Sequence, residues 1–174
     1  MSAQTIQAEV VSIEAVTEFV NIVKLKPLQP VKFQAGQYLQ IVLADDDKRV
    51  FSIGSSPNAE LIELHIGAGP EDSYPRGALN HMADNKVVSL EVGLGVAHIH
   101  QSQRPIILMA GGTGFSYTKS IADYLAETQR QQTVFMYWGV KTESALYAKQ
   151  EMEQWAAAHP HFQFIPVVES PEGD

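Results

Sequence analysis

The stretch Ile106-Ile107-Leu108-Met109-Ala110-Gly111-Gly112-Thr113-Gly114-Phe115-Ser116 runs a short apolar segment straight into a glycine turn. With a helical pattern following over residues 117–128, this predicts a buried strand, a sharp turn and a helix. At such a strand end the backbone N–H groups lie bare and the positive end of the helix points outward, so a dinucleotide's pyrophosphate can approach. Gly-Gly turns also join strands to helices where nothing binds. The spacing departs from the G-x-G-x-x-G fingerprint as well, because counted from Gly112 the third glycine would fall at Tyr117.

Downstream the alternation continues with a strand over 133–139, a helix over roughly 145–157 and a strand over 162–168, the βαβ signature of a doubly wound parallel sheet. Three strands can be counted before Ser170-Pro171-Glu172-Gly173-Asp174, fewer than a dinucleotide-binding sheet generally has, so the sheet is expected to be partial, with either the chain truncated or the missing edge supplied by something else. Phe164, Val167 and Val168 suit a strand covered on both faces, and a bare edge of that kind pairs with other chains. Self-association through this second domain, exchange of segments, or weak order from about Gln131 onward is the consequence expected.

Upstream the period is shorter. Strands are expected over residues 7–13, 19–25, 38–44, 49–55, 61–66 and 86–91, separated by turn chemistry such as Asp45-Asp46-Asp47 and Pro57-Asn58. Six short strands at this spacing predict an antiparallel β-barrel. One helix, over 77–82, is expected after a Gly- and Pro-rich bend at 67–75. A polar stretch without periodicity at 96–104 separates the two patterns, which gives a first domain over 1–98 and a second over 104–174.

Composition narrows the function classes. The chain has 174 residues, 12 Lys+Arg against 20 Asp+Glu, and a net charge of −8, which disfavours nucleic acid as a partner because a phosphate backbone needs a basic face. It has no cysteine, so disulfides, Cys-ligated zinc, iron–sulfur clusters and thiol nucleophiles are excluded. No basic leader precedes an apolar core at the start, and no window reaches the ~18 apolar residues of a membrane span. A cytoplasmic protein with no membrane association is expected.

Arg49-Val50-Phe51-Ser52 offers a cation, an aromatic ring and a hydroxyl within one strand-like stretch, which suits a planar ring system carrying a polar or phosphorylated tail. Strand alternation puts Arg49 and Phe51 on one face and Ser52 on the other. The strand must therefore bend or end here if all are to touch one ligand.

In order and spacing, Gly36-Gln37-Tyr38, Arg49-Val50-Phe51-Ser52, Leu64-His65-Ile66-Gly67, Gly111-Gly112-Thr113-Gly114-Phe115-Ser116 and Tyr137-Trp138-Gly139 closely resemble the bacterial NAD(P)H–flavin reductases. These belong to the ferredoxin–NADP reductase superfamily and include enzymes that supply reduced flavin to luciferase. The resemblance spans about residues 8–168. It implies hydride transfer from NADH or NADPH to flavin N5, with FMN or riboflavin as a diffusible substrate and FAD as the alternative. The reduced flavin would go to a flavin-dependent monooxygenase or luciferase. It further implies that the Ser52 hydroxyl meets N5 and that Arg49 places the ribityl side and any phosphate. The backbone of His65, Ile66 and Gly67 would line the flavin cleft, and the nicotinamide would lie near Thr113, among Gly111, Gly112, Gly114 and Phe115.

Phe51 stands where many relatives carry Tyr, Val50 where many carry Pro, and Gly93 where Pro is frequent, so looser flavin retention and a looser hinge are expected. The His65 side chain reads as structural. Tyr137 and Trp138 read equally as packing or as neighbours of the nucleotide. His98, His100, His159 and His161 read as solvated loop histidines, and no metal site is expected. Two other functions compete: an FAD-containing component that passes electrons to an iron–sulfur partner, and a flavin-binding fragment without catalysis.

Overall fold

In the first half of the chain, alternating apolar residues curl one sheet around a single core. The computed structural model describes residues 3–100, 103–128 and 131–170. Strands β1 (Gln4–Ala15), β2 (Val20–Pro27), β3 (Tyr38–Ala44), β4 (Asp47–Ser52), β5 (Ile62–Gly67) and β6 (Val87–Leu94) form an antiparallel sheet in the order β4-β3-β6-β1-β2-β5. Ile6, Ala8, Val23, Leu25, Leu39, Ile41, Ile62, Leu64, Ile66, Val88, Leu90 and Val92 fill its interior. In β1 the inward residues run Ile6, Ala8, Val10 and then Ile13, because a bulge between Val10 and Ser12 shifts the alternation by one and keeps the apolar side inward. The two ends of the curled sheet meet at one antiparallel bridge, Ile53 to Leu64.

The helix α1 (Ser73–Asp84) begins four residues earlier than the expected 77. The Gly-Pro bend contains its first turn. Pro75 lies within that turn, where a missing N–H leaves no helical hydrogen bond broken. Likewise Asp47 belongs to β4, not to the turn, and β4 stops at Ser52 short of the expected 55. At Gly93 φ is +84°, in the left-handed region that favours glycine. Gln37 closes the same corner, its amide N–H donating to the carbonyls of Gly93 and Gly95 at 3.2 and 2.8 Å.

Beyond the polar connection the period changes as expected. Strands β7 (Ile106–Gly111), β8 (Val134–Thr142) and β9 (Phe162–Ser170) form a parallel sheet in that order, linked by α2 (Phe115–Glu127) and α3 (Lys149–Ala158). A 3-10 turn, Gly112–Gly114, joins β7 to α2, and another, Glu143–Ala145, follows β8. That second turn delays the start of α3 from the expected 145 to Lys149, and Tyr147 falls in the break between them.

Both helices pack on the same face of this sheet. Phe115, Ile121, Ala122, Leu125 and Met152 meet Leu108, Val134, Met136, Trp138 and Phe162. The opposite face presents Ile107, Met109, Tyr137 and Val167, all exposed. Among the described residues the helices therefore cover one face of this sheet. β9 pairs with β8 along its whole length, from Val134–Phe162 to Thr142–Ser170.

Candidate active site

The two ends of the curled sheet leave an unpaired gap between β4 and β5, here called the slot. At the bridge between Ile53 and Leu64, the Gly54 N–H donates to the Glu63 carbonyl at 2.7 Å. Counted outward from that bridge, Ser52 would face His65, Phe51 would face Ile66 and Val50 would face Gly67, yet β4 and β5 form no ladder there. No ladder continues beyond it, so the main-chain groups of Val50 and Ser52 on one side and of His65 and Gly67 on the other are left without a strand partner across the gap. β4 ends at Ser52, and the chain then turns toward β5.

The β4 wall carries two contacts that no motif announced. Arg49 is gripped by Asp47: Nε donates to one carboxylate oxygen and the second guanidinium nitrogen donates to the other at 2.7 Å. The pair lowers the Asp47 pKa and raises that of Arg49, through their mutual hydrogen bonds first. Asp47 and Arg49 are two apart on β4 and so share a face. The guanidinium also lies 4.7 Å from the Tyr74 ring centre and donates to the Tyr74 carbonyl at 3.2 Å. The Tyr74 hydroxyl accepts from the Val50 N–H at 2.7 Å on the open side of β4. Phe51 packs partly into the core, 6.2 Å from the Tyr74 ring, and Val50 is exposed.

The glycine turn lies across the slot. Gly112 has φ +51°, a left-handed conformation that favours glycine, whereas Gly111 and Gly114 have ordinary angles. A Cβ added at Gly111, Gly112 or Gly114 would meet nothing within 4 Å, so no packing inside the chain demands glycine at any of them. Room of this kind beside bare backbone fits the close approach of a dinucleotide. Thr113 faces the barrel: a Cβ on Gly67 would stand 3.1 Å from the Thr113 Cγ2. The slot and the turn thus meet at Gly67 and Thr113.

Two expected ligand neighbours prove to be the turn's foundation. Trp138 is fully buried, its ring stacked on that of Phe115 at 3.9 Å, and its indole N–H donates to the Gly112 carbonyl at 2.9 Å. Phe115 is buried too, so neither side chain offers a ligand any surface. The Ile66 side chain likewise belongs to the barrel core. Ser116 secures the turn from the helix side, donating to the Thr113 carbonyl at 3.0 Å.

Below the meeting point lies a buried polar network. His65 Nε2 is 2.8 Å from Glu63 Oε1, and its Nδ1 is 2.8 Å from the Tyr147 hydroxyl. Lys119 on α2 reaches Asp123 at 2.8 Å, Glu151 at 3.5 Å and Glu63 at 3.6 Å. Burial alone would raise the Glu63 pKa. The His65 hydrogen bond and the Lys119 charge outweigh it and hold the carboxyl at about 2. Burial opposes the Lys119 ammonium, yet its three carboxylates push its pKa up. Burial also pushes the Tyr147 hydroxyl up, helped by Glu63 and Glu151, so it remains a donor. His65 is buried between Glu63, two residues away on its own strand, and Tyr147, far along the chain, which no local pattern could reveal.

Cavities of about 480 Å³ beside Trp155 and His159, and about 540 Å³ beside Asn58 and His98, lie away from this slot. The His98 and His100 rings are 5.3 Å apart, and among the described residues no cluster of three or more His, Cys, Asp or Glu could hold a metal. Among the described residues, too, no helix is long and apolar enough to cross a membrane.

Residues 108–174 match the family model described as the oxidoreductase NAD-binding domain. The fold is shared with a cytochrome P450 reductase of Amycolatopsis, at TM-score 0.84 and 25% identity over 98% of this chain and 54% of that one. It is shared also with the ferredoxin–NADP+ reductase of Plasmodium falciparum, at TM-score 0.81 and 19% identity over 94% and 70% of the two chains. The chain is 37% identical to the NAD(P)H-flavin reductase of Vibrio harveyi, over 98% of its length and 75% of the relative's. Identity to the NAD(P)H-flavin reductase of Aliivibrio fischeri is 43%, over 97% of this chain and 74% of that protein. The chain belongs to the NAD(P)H-flavin reductase family.

Proposed function

We propose that this protein is a cytoplasmic enzyme that reduces a free flavin, FMN or riboflavin, with NADH or NADPH, and releases the reduced flavin to a flavin-dependent monooxygenase or luciferase. In this reading residues 1–98 seat the flavin and residues 104–174 the nucleotide. The observation that carries it is the meeting of Gly67, at the end of the slot, with Thr113, in the middle of the glycine turn. Two flat rings held there, one from each side, lie within reach of each other.

Bound together, the nicotinamide supplies a hydride and the flavin N5 accepts it. The chain's own part is orientation and exclusion of water. The open edges of β4 and β5 offer backbone donors and acceptors to a ring, and Ser52 offers a hydroxyl at the strand end. Gly111, Gly112 and Gly114 leave space for a pyrophosphate against bare backbone. Arg49 is already paired with Asp47, which supports recognition of the flavin through its ring and ribityl chain more than through a phosphate. A ligand held without a strong ionic anchor comes and goes, as a substrate does.

The test is NAD(P)H consumption with and without added flavin. Consumption that requires added FMN or riboflavin, by a protein that purifies colourless, is the expected result. A protein that purifies yellow and passes electrons to an iron–sulfur acceptor would place it instead among electron-transfer components.

A further inference from the structure

We propose that His65 and Tyr147 form a clasp that sets the distance between the flavin slot and the nucleotide turn, and so act as positioning residues for hydride transfer. The inference rests on the function proposed above. Its first support is the pleat of β5. Ile62, Leu64 and Ile66 enter the barrel core, so Glu63, His65 and Gly67 share the opposite face, toward the second sheet. His65 and Gly67 are two residues apart, about 7 Å along a strand. Whatever fixes His65 against the second sheet fixes Gly67 against Thr113.

The His65 ring has no freedom to turn. Its side chain is 1% exposed, and both ring nitrogens are engaged at 2.8 Å. A carboxylate only accepts, so Nε2 carries the proton given to Glu63; in the neutral ring, Nδ1 then accepts from the Tyr147 hydroxyl. Glu63 and His65 lie on the barrel, whereas Tyr147 lies between β8 and α3, so this hydrogen bond ties the barrel to the connection that follows β8.

Aromatic packing carries the constraint onward to the turn. The His65 ring lies 5.7 Å from Phe115 and 5.5 Å from Tyr147. Phe115 is stacked on Trp138, whose indole holds the Gly112 carbonyl. A continuous path of buried rings therefore joins β5 to the backbone that faces the nucleotide. Hydride transfer is acutely sensitive to separation, since reacting atoms must stand about 3–3.5 Å apart and a displacement near 1 Å can cost about a hundred-fold in rate.

Tyr147→Phe removes only the hydroxyl and keeps the ring contacts. In single-turnover reduction at saturating nucleotide and flavin, we expect it to slow the hydride step by about ten-fold, with both KM values within about two-fold of the parent. A primary isotope effect with deuterated nucleotide should be at least as large as in the parent. His65→Phe should slow the same step, and the double variant should be no slower than the slower single one. Independently of turnover, amides of residues 65–67 and 111–116 in Tyr147→Phe should exchange about five-fold faster, the effect of losing one hydrogen bond worth about 1 kcal/mol. Unchanged exchange at those amides, an unchanged hydride step, a loss confined to KM, or additive effects in the double variant would each overturn the clasp. If the parent protein reduces no flavin at all, the proposed function fails, and the exchange measurement still decides whether the clasp exists.

Discussion

Replacing Gly111 or Gly114 by alanine separates what the fold requires from what a ligand requires. Gly111 has φ −123° and ψ 129°, and Gly114 has φ −58° and ψ −10°, both open to any L-residue. A Cβ at either position meets nothing within 4 Å. Alanine there narrows the unfolded ensemble without straining the folded one, which stabilises by about 0.4–1 kcal/mol. In a chain of this size that raises Tm by roughly 1–4 °C. Gly112 is the internal contrast, because at φ +51° an alanine costs ~1–2 kcal/mol and Tm falls. For function all three changes point one way. A methyl group in the path of a pyrophosphate displaces at least one backbone hydrogen bond to a charged group, worth about 1.5–3 kcal/mol, or roughly 10–100-fold in the KM for NADH or NADPH. Thermal melts together with steady-state kinetics, varying each substrate in turn, measure both effects. Gly111→Ala and Gly114→Ala variants that melt higher and bind nucleotide as before would show that the turn serves only to connect strand and helix.

Ser52→Ala should slow flavin reduction by an amount worth ~2–4 kcal/mol while leaving flavin affinity nearly intact, because an N5 donor matters most as charge develops; equal losses in rate and binding, read by stopped-flow, would remove Ser52 from that role. Asp47→Asn should release Arg49 and raise kcat/KM for FMN over riboflavin by up to about five-fold, an effect that added salt should erase; an unchanged ratio would mean that Arg49 never meets the flavin tail. Glu63 has a folded pKa of about 2 against an ordinary 4.5, so its contribution to stability is present above about 4.5 and is lost as pH falls toward about 2. Denaturant titrations through that window should show a steeper acid loss for the parent than for Glu63→Gln; parallel curves would contradict the depressed pKa.

What could be read in advance follows the range of the interactions. The glycine turn and its flanking strand and helix are local, and their residue types state their geometry. The strand of Arg49 was legible, but its end at Ser52 was not, because that end is set by a bridge from Ile53 to Leu64. The start of α1 was masked by Pro75, which reads as a breaker in isolation and is harmless in a first turn. Trp138 could not be assigned between packing and ligand from its neighbours alone, since stacking on Phe115 is decided by the sheet register and the crossover helix. The pairing of His65 with Tyr147 depends on how two separate sheets dock, and the period of neither sheet contains that information.

The unzipped seam between β4 and β5 has a chemical meaning of its own. A strand edge inside a nearly closed barrel is half of an unfinished ladder, and the Tyr74 hydroxyl already takes one of its bonds, from the Val50 N–H. A flat tricycle with a polar rim can serve as a surrogate strand there, read by peptide groups that every residue carries. Recognition by peptide groups is indifferent to side-chain identity. A ligand read in this way would depend on the course of the main chain at Val50 and Ser52 more than on which side chains stand there.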